Sequence, residues 1–155
     1  DEGSTVDYLR AGAGNFDNLY HNIVLTSGLV ISGGPGRGDS AELSRGGGDG
    51  ELTVDLRTGA FELSRGDTVI SHEMPGLERI SLGSFSGHLT FSGTDQDNGL
   101  HTSATTMDVF TLAGGDVIWT AGAVDSLFDG GEGDDILYGS DCSINTCLSI
   151  EDNVV

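Results

Sequence analysis

The sequence predicts an all-β fold in which many short strands wind as a solenoid. Three observations carry that expectation. Apolar runs of three to six residues are rich in Val, Ile, Leu, Phe and Thr. The turns between them are dominated by Gly, Asp, Asn and Ser. A nine-residue period runs through the C-terminal third. Short strands with punctuating turns fit a sandwich, a barrel or a solenoid, and the internal repeat favours the last.

Taken in order, NIVLTSGLVI (22–31) supplies a strand-forming run and GGPGRGD (33–39) turns the chain. GGGDG (46–50) is a turn before the strand ELTVDL (51–56), and TVIS (68–71) follows as another strand. HLTFS (88–92), the turn GTDQDNG (93–99) and DVFTL (108–112) continue the alternation. AGGD (113–116), DVIW (116–119) and GGEGDD (130–135) complete it. Gly accepts positive φ in such turns, and Asp or Asn bonds its own backbone there. One continuous domain is expected: a degenerate solenoid segment over 1–102, nonapeptide repeats over 103–141, and a C-terminal segment over 142–155. Cys142 and Cys147, in DCSINTCLS, are read as a small disulfide loop suited to an oxidising compartment, with two free thiols as the alternative.

Phe110, Trp119, Phe128 and Leu137 stand nine residues apart and are expected to face inward; for Trp119 the alternative is a sugar-stacking platform on a lectin-like face, and core is preferred. They divide the chain into LAGGDVIWT (112–120), AGAVDSLFD (121–129) and GGEGDDILY (130–138), whose fifth positions are Asp116, Asp125 and Asp134. The last unit resembles the calcium-binding nonapeptide of the RTX (repeats-in-toxin) family at every defined position, with Asp135 as the diagnostic Asp and Leu137 as the buried residue. The two units before it read as eroded copies. GTDQDNGL (93–100) reads as a unit with Asn98 at the Asp position, and AGAGNFDNL (11–19) and GGPGRGDSA (33–41) as turns with one residue inserted before Asp17 and Asp39. For Asp17, Asp39 and Asp97 a solvated turn is the preferred reading.

The resemblance implies a right-handed parallel β-roll or β-helix-like solenoid in which two nonapeptides make one coil. Residues 18 apart would then stack one strand spacing apart, roughly 4.8 Å. Calcium takes six to eight oxygens at about 2.3–2.6 Å, so neighbouring turns could share one ion. On this reading Asp135 is the principal carboxylate ligand, and Gly131 and Gly133 give main-chain oxygens. Asp116 and Asp134 are then ligands or flanking charge. On the opposite edge, AGAVDS (121–126) would stack over GSDCSI (139–144). Asp125 and Asp141 could share a second, poorer ion there, since Ser126 replaces the usual Asp. The family also implies a switch, unfolded in a low-calcium cytosol and folded outside.

Charge agrees with bound cations: 25 acids against 6 Arg and no Lys give a net charge of −19 on 155 residues. That balance excludes a nucleic-acid or anionic-membrane partner, and no apolar run reaches the roughly 20 residues of a membrane span. The chain begins with Asp1 rather than Met and stops at NVV, so it is expected to be a segment of a larger secreted, extracellular protein. No catalytic motif is found. His72-Glu73 is followed by Met-Pro rather than a second metal-binding His, GGPGRGDS lacks the Lys of a phosphate loop, and its RGD reads as turn chemistry. Three functions remain: a calcium-dependent structural module, a carbohydrate- or surface-binding module using Tyr8, Tyr20 or Tyr138, and a catalytic β-helix. The first is preferred and the chain is expected not to be an enzyme.

Overall fold

The computed structural model describes residues 8–10, 18–22, 28–44, 49–83 and 85–155, and among them there is no helix. The strands are β1 (Tyr8–Arg10), β2 (Asn18–Asn22), β3 (Val30–Ser32), β4 (Ser40–Ser44), β5 (Glu51–Asp55), β6 (Ala60–Arg65), β7 (Thr68–Glu73) and β8 (Arg79–Leu82). They continue as β9 (His88–Ser92), β10 (Gly99–Thr102), β11 (Thr106–Phe110), β12 (Val117–Thr120), β13 (Leu127–Asp129), β14 (Ile136–Tyr138), β15 (Thr146–Leu148) and β16 (Asp152–Val154). Sheet A has the order β1-β3-β7-β6-β5-β9-β11-β13-β15, and sheet B the order β16-β14-β12-β10-β8-β4-β2. From β8 onward the chain alternates between the sheets, and every pairing there is parallel. This is the expected all-β parallel solenoid.

The interior is built from stacked apolar columns. In sheet A, Val54, Phe91, Val109, Phe128 and Cys147 occupy successive rungs of one register line. In sheet B, Ala41, Ile80, Leu100, Ile118 and Leu137 do the same. All of these except Cys147 are buried, and each large side chain contributes about 1.5–3 kcal/mol by leaving water. The sheet B column ends at Asn153, one rung beyond Leu137, whose amide donates to the carbonyls of Leu137 and Ser140. The Cys142–Cys147 disulfide closes the last corner, with Cys147 stacked on the Phe128 rung. Beside them Ile144, Leu148 and Val154 remain exposed on the last rungs.

One stretch departs from the coiled pattern that the sequence predicts. Residues 51–73 do not coil but run as an antiparallel meander, β5 against β6 and β6 against β7, inserted side by side into sheet A. The C-terminal segment continues the stack, as β15 and β16 extend both sheets by a rung.

The coil length also changes along the chain. Thr106 pairs with His88 and Val117 with Gly99, steps of 18 residues, but Leu127 pairs with Asp108 and Ile136 with Val117, steps of 19. The extra residue lies in the corner between Thr120 and Leu127. Since side chains alternate between faces, one added residue inverts which of two positions points inward. Phe128 and Leu137 are buried as expected, but their inward partners are Val109 and Ile118. Phe110 is only partly buried and Trp119 is 46% exposed, which overturns the core assignment of Trp119.

Candidate cation site

Immediately before each strand of sheet B from β4 onward stands an acid or its amide: Asp39, Glu78, Asn98, Asp116, Asp135 and Glu151. They form a seam along the edge where the chain passes from sheet A into sheet B. Main-chain bonds tie the rungs, with Arg79 N–H donating to Asp39 O, Gly99 N–H to Glu78 O, Val117 N–H to Asn98 O and Ile136 N–H to Asp116 O. Side chains add a second set. The N–H of Asp39 donates to Glu78 Oε2 at 2.8 Å, that of Asn98 to Asp116 Oδ1 at 2.6 Å, that of Asp116 to Asp135 Oδ1 at 2.8 Å and that of Asp135 to Glu151 Oε2 at 2.8 Å. Each carboxylate thus caps the corner of the preceding coil, which would otherwise bury an unsatisfied N–H. Asn98 differs, turning its Oδ1 to Thr94 N–H in its own loop while its amide donates to Glu78 O.

Glycine makes room for the seam. A Cβ on Gly93 would meet Asn98 Oδ1, and one on Gly130 would meet Asp135 Oδ2 and the Ser149 carbonyl. In the Asp116 rung this place is taken by Thr111, whose hydroxyl donates to Gly130 O.

Asp116 and Asp135 expose none of their surface, and in each the second oxygen, Oδ2, is buried with no hydrogen-bond partner. Burial pushes the Asp116 carboxyl up to about 6; the Asn98 N–H and the Thr111 hydroxyl pull the other way, and the charges of Asp135 and Asp97 add to the rise. Burial also raises Asp135, opposed by the Asp116 N–H and reinforced by Glu151, Asp134 and Asp129.

The expected 18-residue stacking of Asp116 on Asp134 is corrected by the 19-residue step: Asp116 stacks on Asp135, and Asp134 is exposed on the turn. Gly131 and Gly133 lie in that turn, packed so closely on the Leu112 and Gly114 carbonyls of the coil before that neither could carry a side chain. The turns are bonded to each other through Glu132 N–H to Leu112 O and Gly114 N–H to Glu132 O. On the opposite edge the expected acid pair is not built. Ser126 N–H meets Asn145 Oδ1, Asp125 is exposed in a left-handed conformation with φ 48°, and Asp141 accepts the Ser143 N–H of its own turn. Those Ser143 bonds hold the Asp141 carboxyl below its usual value. Asp39, read as a solvated turn, is buried in the seam, so its RGD is not a presented loop; Asp97 is exposed and accepts Gly115 N–H, and Asp17 lies outside the described residues.

Among the described residues no three His, Cys, Asp or Glu side chains converge as a metal-binding group. The donor chemistry of the seam nevertheless suits a hard cation. Two stacked carboxylates with unused oxygens lie beside a Thr hydroxyl and main-chain carbonyls, all oxygen ligands of the kind calcium takes. Two carboxylates fall short of six to eight ligands, so main-chain oxygens would have to complete the shell.

Compared with family models, with curated proteins and with solved structures, the chain matches none. Among the described residues no helix is long and apolar enough to cross a membrane.

Proposed function

We propose that this chain is a calcium-stabilised, non-catalytic β-solenoid module of a larger secreted protein, with the ion held on the seam at Asp116 and Asp135. One observation carries the reading: two fully buried carboxylates one rung apart, each with a second oxygen that has no hydrogen-bond partner. Burying such groups charged is costly, and a divalent ion turns that cost into metal-dependent folding energy. The net charge of −19 acts in the same direction, since bound cations lower the self-repulsion of the compact state. The disulfide suits an extracellular setting, and GGEGDDILY supplies the likeness to RTX repeats.

The test is a metal count and a thermal melt by circular dichroism at neutral pH, in chelator and in millimolar calcium. Stoichiometric calcium and a higher midpoint are expected, both lost in the double variant Asp116→Asn/Asp135→Asn while its β signal persists. Equal melting in chelator and in calcium, with no ion retained, would overturn the reading.

A further inference from the structure

The outer faces of the two sheets differ in charge. Sheet A presents Glu51, Asp55, Glu62, Glu73, Asp108 and Asp129 outward. On sheet B the outward positions from β8 to β14 are Arg79, Ser81, Gly99, His101, Val117, Trp119, Ile136 and Tyr138, without a carboxylate. In a chain with 25 acids this is a distinct surface.

Within it, Glu42, Ser81, His101, Trp119 and Tyr138 fall on one register line across five rungs. The Trp119 and Tyr138 rings stack with centroids 5.2 Å apart and planes 13° apart. Tyr138 therefore covers one face of the indole. The other side of Trp119 borders a hollow of about 180 Å³ that extends over β10, β8 and β4. Gly99 opens this hollow: it sits between Arg79 and Val117 in the adjacent column, where even a Cβ would come 2.9 Å from the Arg79 stem. Ser81 Oγ and His101 Nδ1 hydrogen-bond at 3.1 Å along one wall, and Glu42 and Arg79 supply charged groups of opposite sign.

We propose that this hollow binds a sugar residue of a neutral glycan, independently of any ion on the seam. An indole held rigid by a second ring offers a flat apolar platform for the C–H face of a pyranose. The hydroxyl, imidazole, guanidinium and carboxylate around it offer both donors and acceptors to ring hydroxyls, and a concave site with a few placed polar groups is the general form of a small-ligand pocket. The single ring platform and the small volume fit one six-membered ring, with the rest of the chain lying along the face.

Trp119 is the only tryptophan, so its fluorescence reports on this site alone. The experiment titrates the whole chain with cellohexaose, chitohexaose, maltohexaose and a uronic-acid oligomer, in calcium and in chelator. A saturable change with at least one neutral oligomer is expected. Trp119→Ala, read by pull-down on the matching insoluble polysaccharide, should lose at least tenfold in affinity, and so should Gly99→Leu, which fills the hollow from the other side. Both variants must keep the parent β signal; His101→Ala replaces any that does not. Response to no oligomer, response to the uronic acid alone, binding that survives these substitutions, or concentration-dependent self-association abolished by Trp119→Ala without sugar binding would each overturn the proposal.

Discussion

The two edges of the solenoid carry different chemistry at equivalent places. On the edge entering sheet B, the residue before the strand is Asn98, Asp116 and Asp135 in successive rungs, all buried, with glycine or threonine packed against them. On the edge entering sheet A, the residues in one register are Leu89, Met107, Ser126 and Asn145, and no acid is buried there. Asp125 on that edge is exposed, and Gly122 has open space around its Cα. The first edge ties its rungs through carboxylates that accept main-chain N–H groups, and a Cβ has no room there at Gly93 or Gly130. The second edge ties its rungs through neutral groups, with Met107 N–H donating to Ser126 Oγ and Ser126 N–H to Asn145 Oδ1, and its corner absorbs the inserted residue between Thr120 and Leu127.

The sharpest way to break this contrast is to add one methyl group to each edge. Gly130→Ala places a Cβ into the Ser149 carbonyl and Asp135 Oδ2, neither of which can move without opening the seam. A loss of about 3 kcal/mol in unfolding free energy is expected, at the upper end of overpacking costs. Gly122→Ala meets nothing within 4 Å and carries only the strain of its φ of +81°, about 1 kcal/mol. Denaturant unfolding of the two variants should separate them clearly; similar losses would mean that the edges are equally packed.

Next in size is the capping role of Asp116. Asp116→Ala removes the acceptor of the buried Asn98 N–H, whereas Asp116→Asn keeps an oxygen there. In chelator at neutral pH the Ala variant should be less stable than the Asn variant by about 1–3 kcal/mol, the usual cost of a buried unsatisfied donor. Equal stability would show that the seam bonds contribute little.

These same residues explain what was legible in the sequence. The solenoid could be read because turn glycines and short apolar strands both recur, and GGEGDDILY points to Leu137 as a buried residue, which it is. Asn98 was also found at its true place, because Gly93 and Asn98 keep the spacing of Gly130 and Asp135. Asp116 stacks on Asp135 rather than Asp134 because the corner between Thr120 and Leu127 adds a residue that an unbroken nine-residue frame does not contain. Trp119 was misplaced for a related reason: a bulky aromatic looks the same facing in or out, and only the corner insertion reveals its side. The carboxylate-poor face of sheet B was beyond reach until the register was known, since Arg79, His101 and Tyr138 are far apart in the chain.

A smaller effect follows from protonation on the seam. Asp116 is raised in the folded state to about 6, above its ordinary value. The folded chain therefore holds this proton more tightly than the unfolded chain does. The stability linked to it is fully present below the unfolded value and is lost as pH rises through about 6. In chelator, unfolding free energy should drop by on the order of 1–2 kcal/mol between about pH 4 and pH 7. Asp135, shifted the same way by burial, adds to the slope. Asp116→Asn should flatten the profile, and an unchanged slope in that variant would assign it to general charge repulsion.

The smallest expected effect tests whether charge outside the seam matters to cation binding at all. Asp134 reads from the sequence as a ligand or as flanking charge and Asp125 as part of a second, poorer site, and both are exposed, one on each edge. Exposed carboxylates keep their hydration and gain little from an ion that is not held by other ligands. Asp134→Asn and Asp125→Asn should therefore leave the calcium midpoint within about twofold of the parent, whereas Asp135→Asn should shift it by at least tenfold. Asp134 is the more demanding case, because it neighbours Asp135 in the chain and its charge is felt there. If Asp134→Asn weakened calcium as much as Asp135→Asn, the ion would sit on the outer turn with Gly131 and Gly133, and the buried seam would be a hydrogen-bonded ladder of neutral acids.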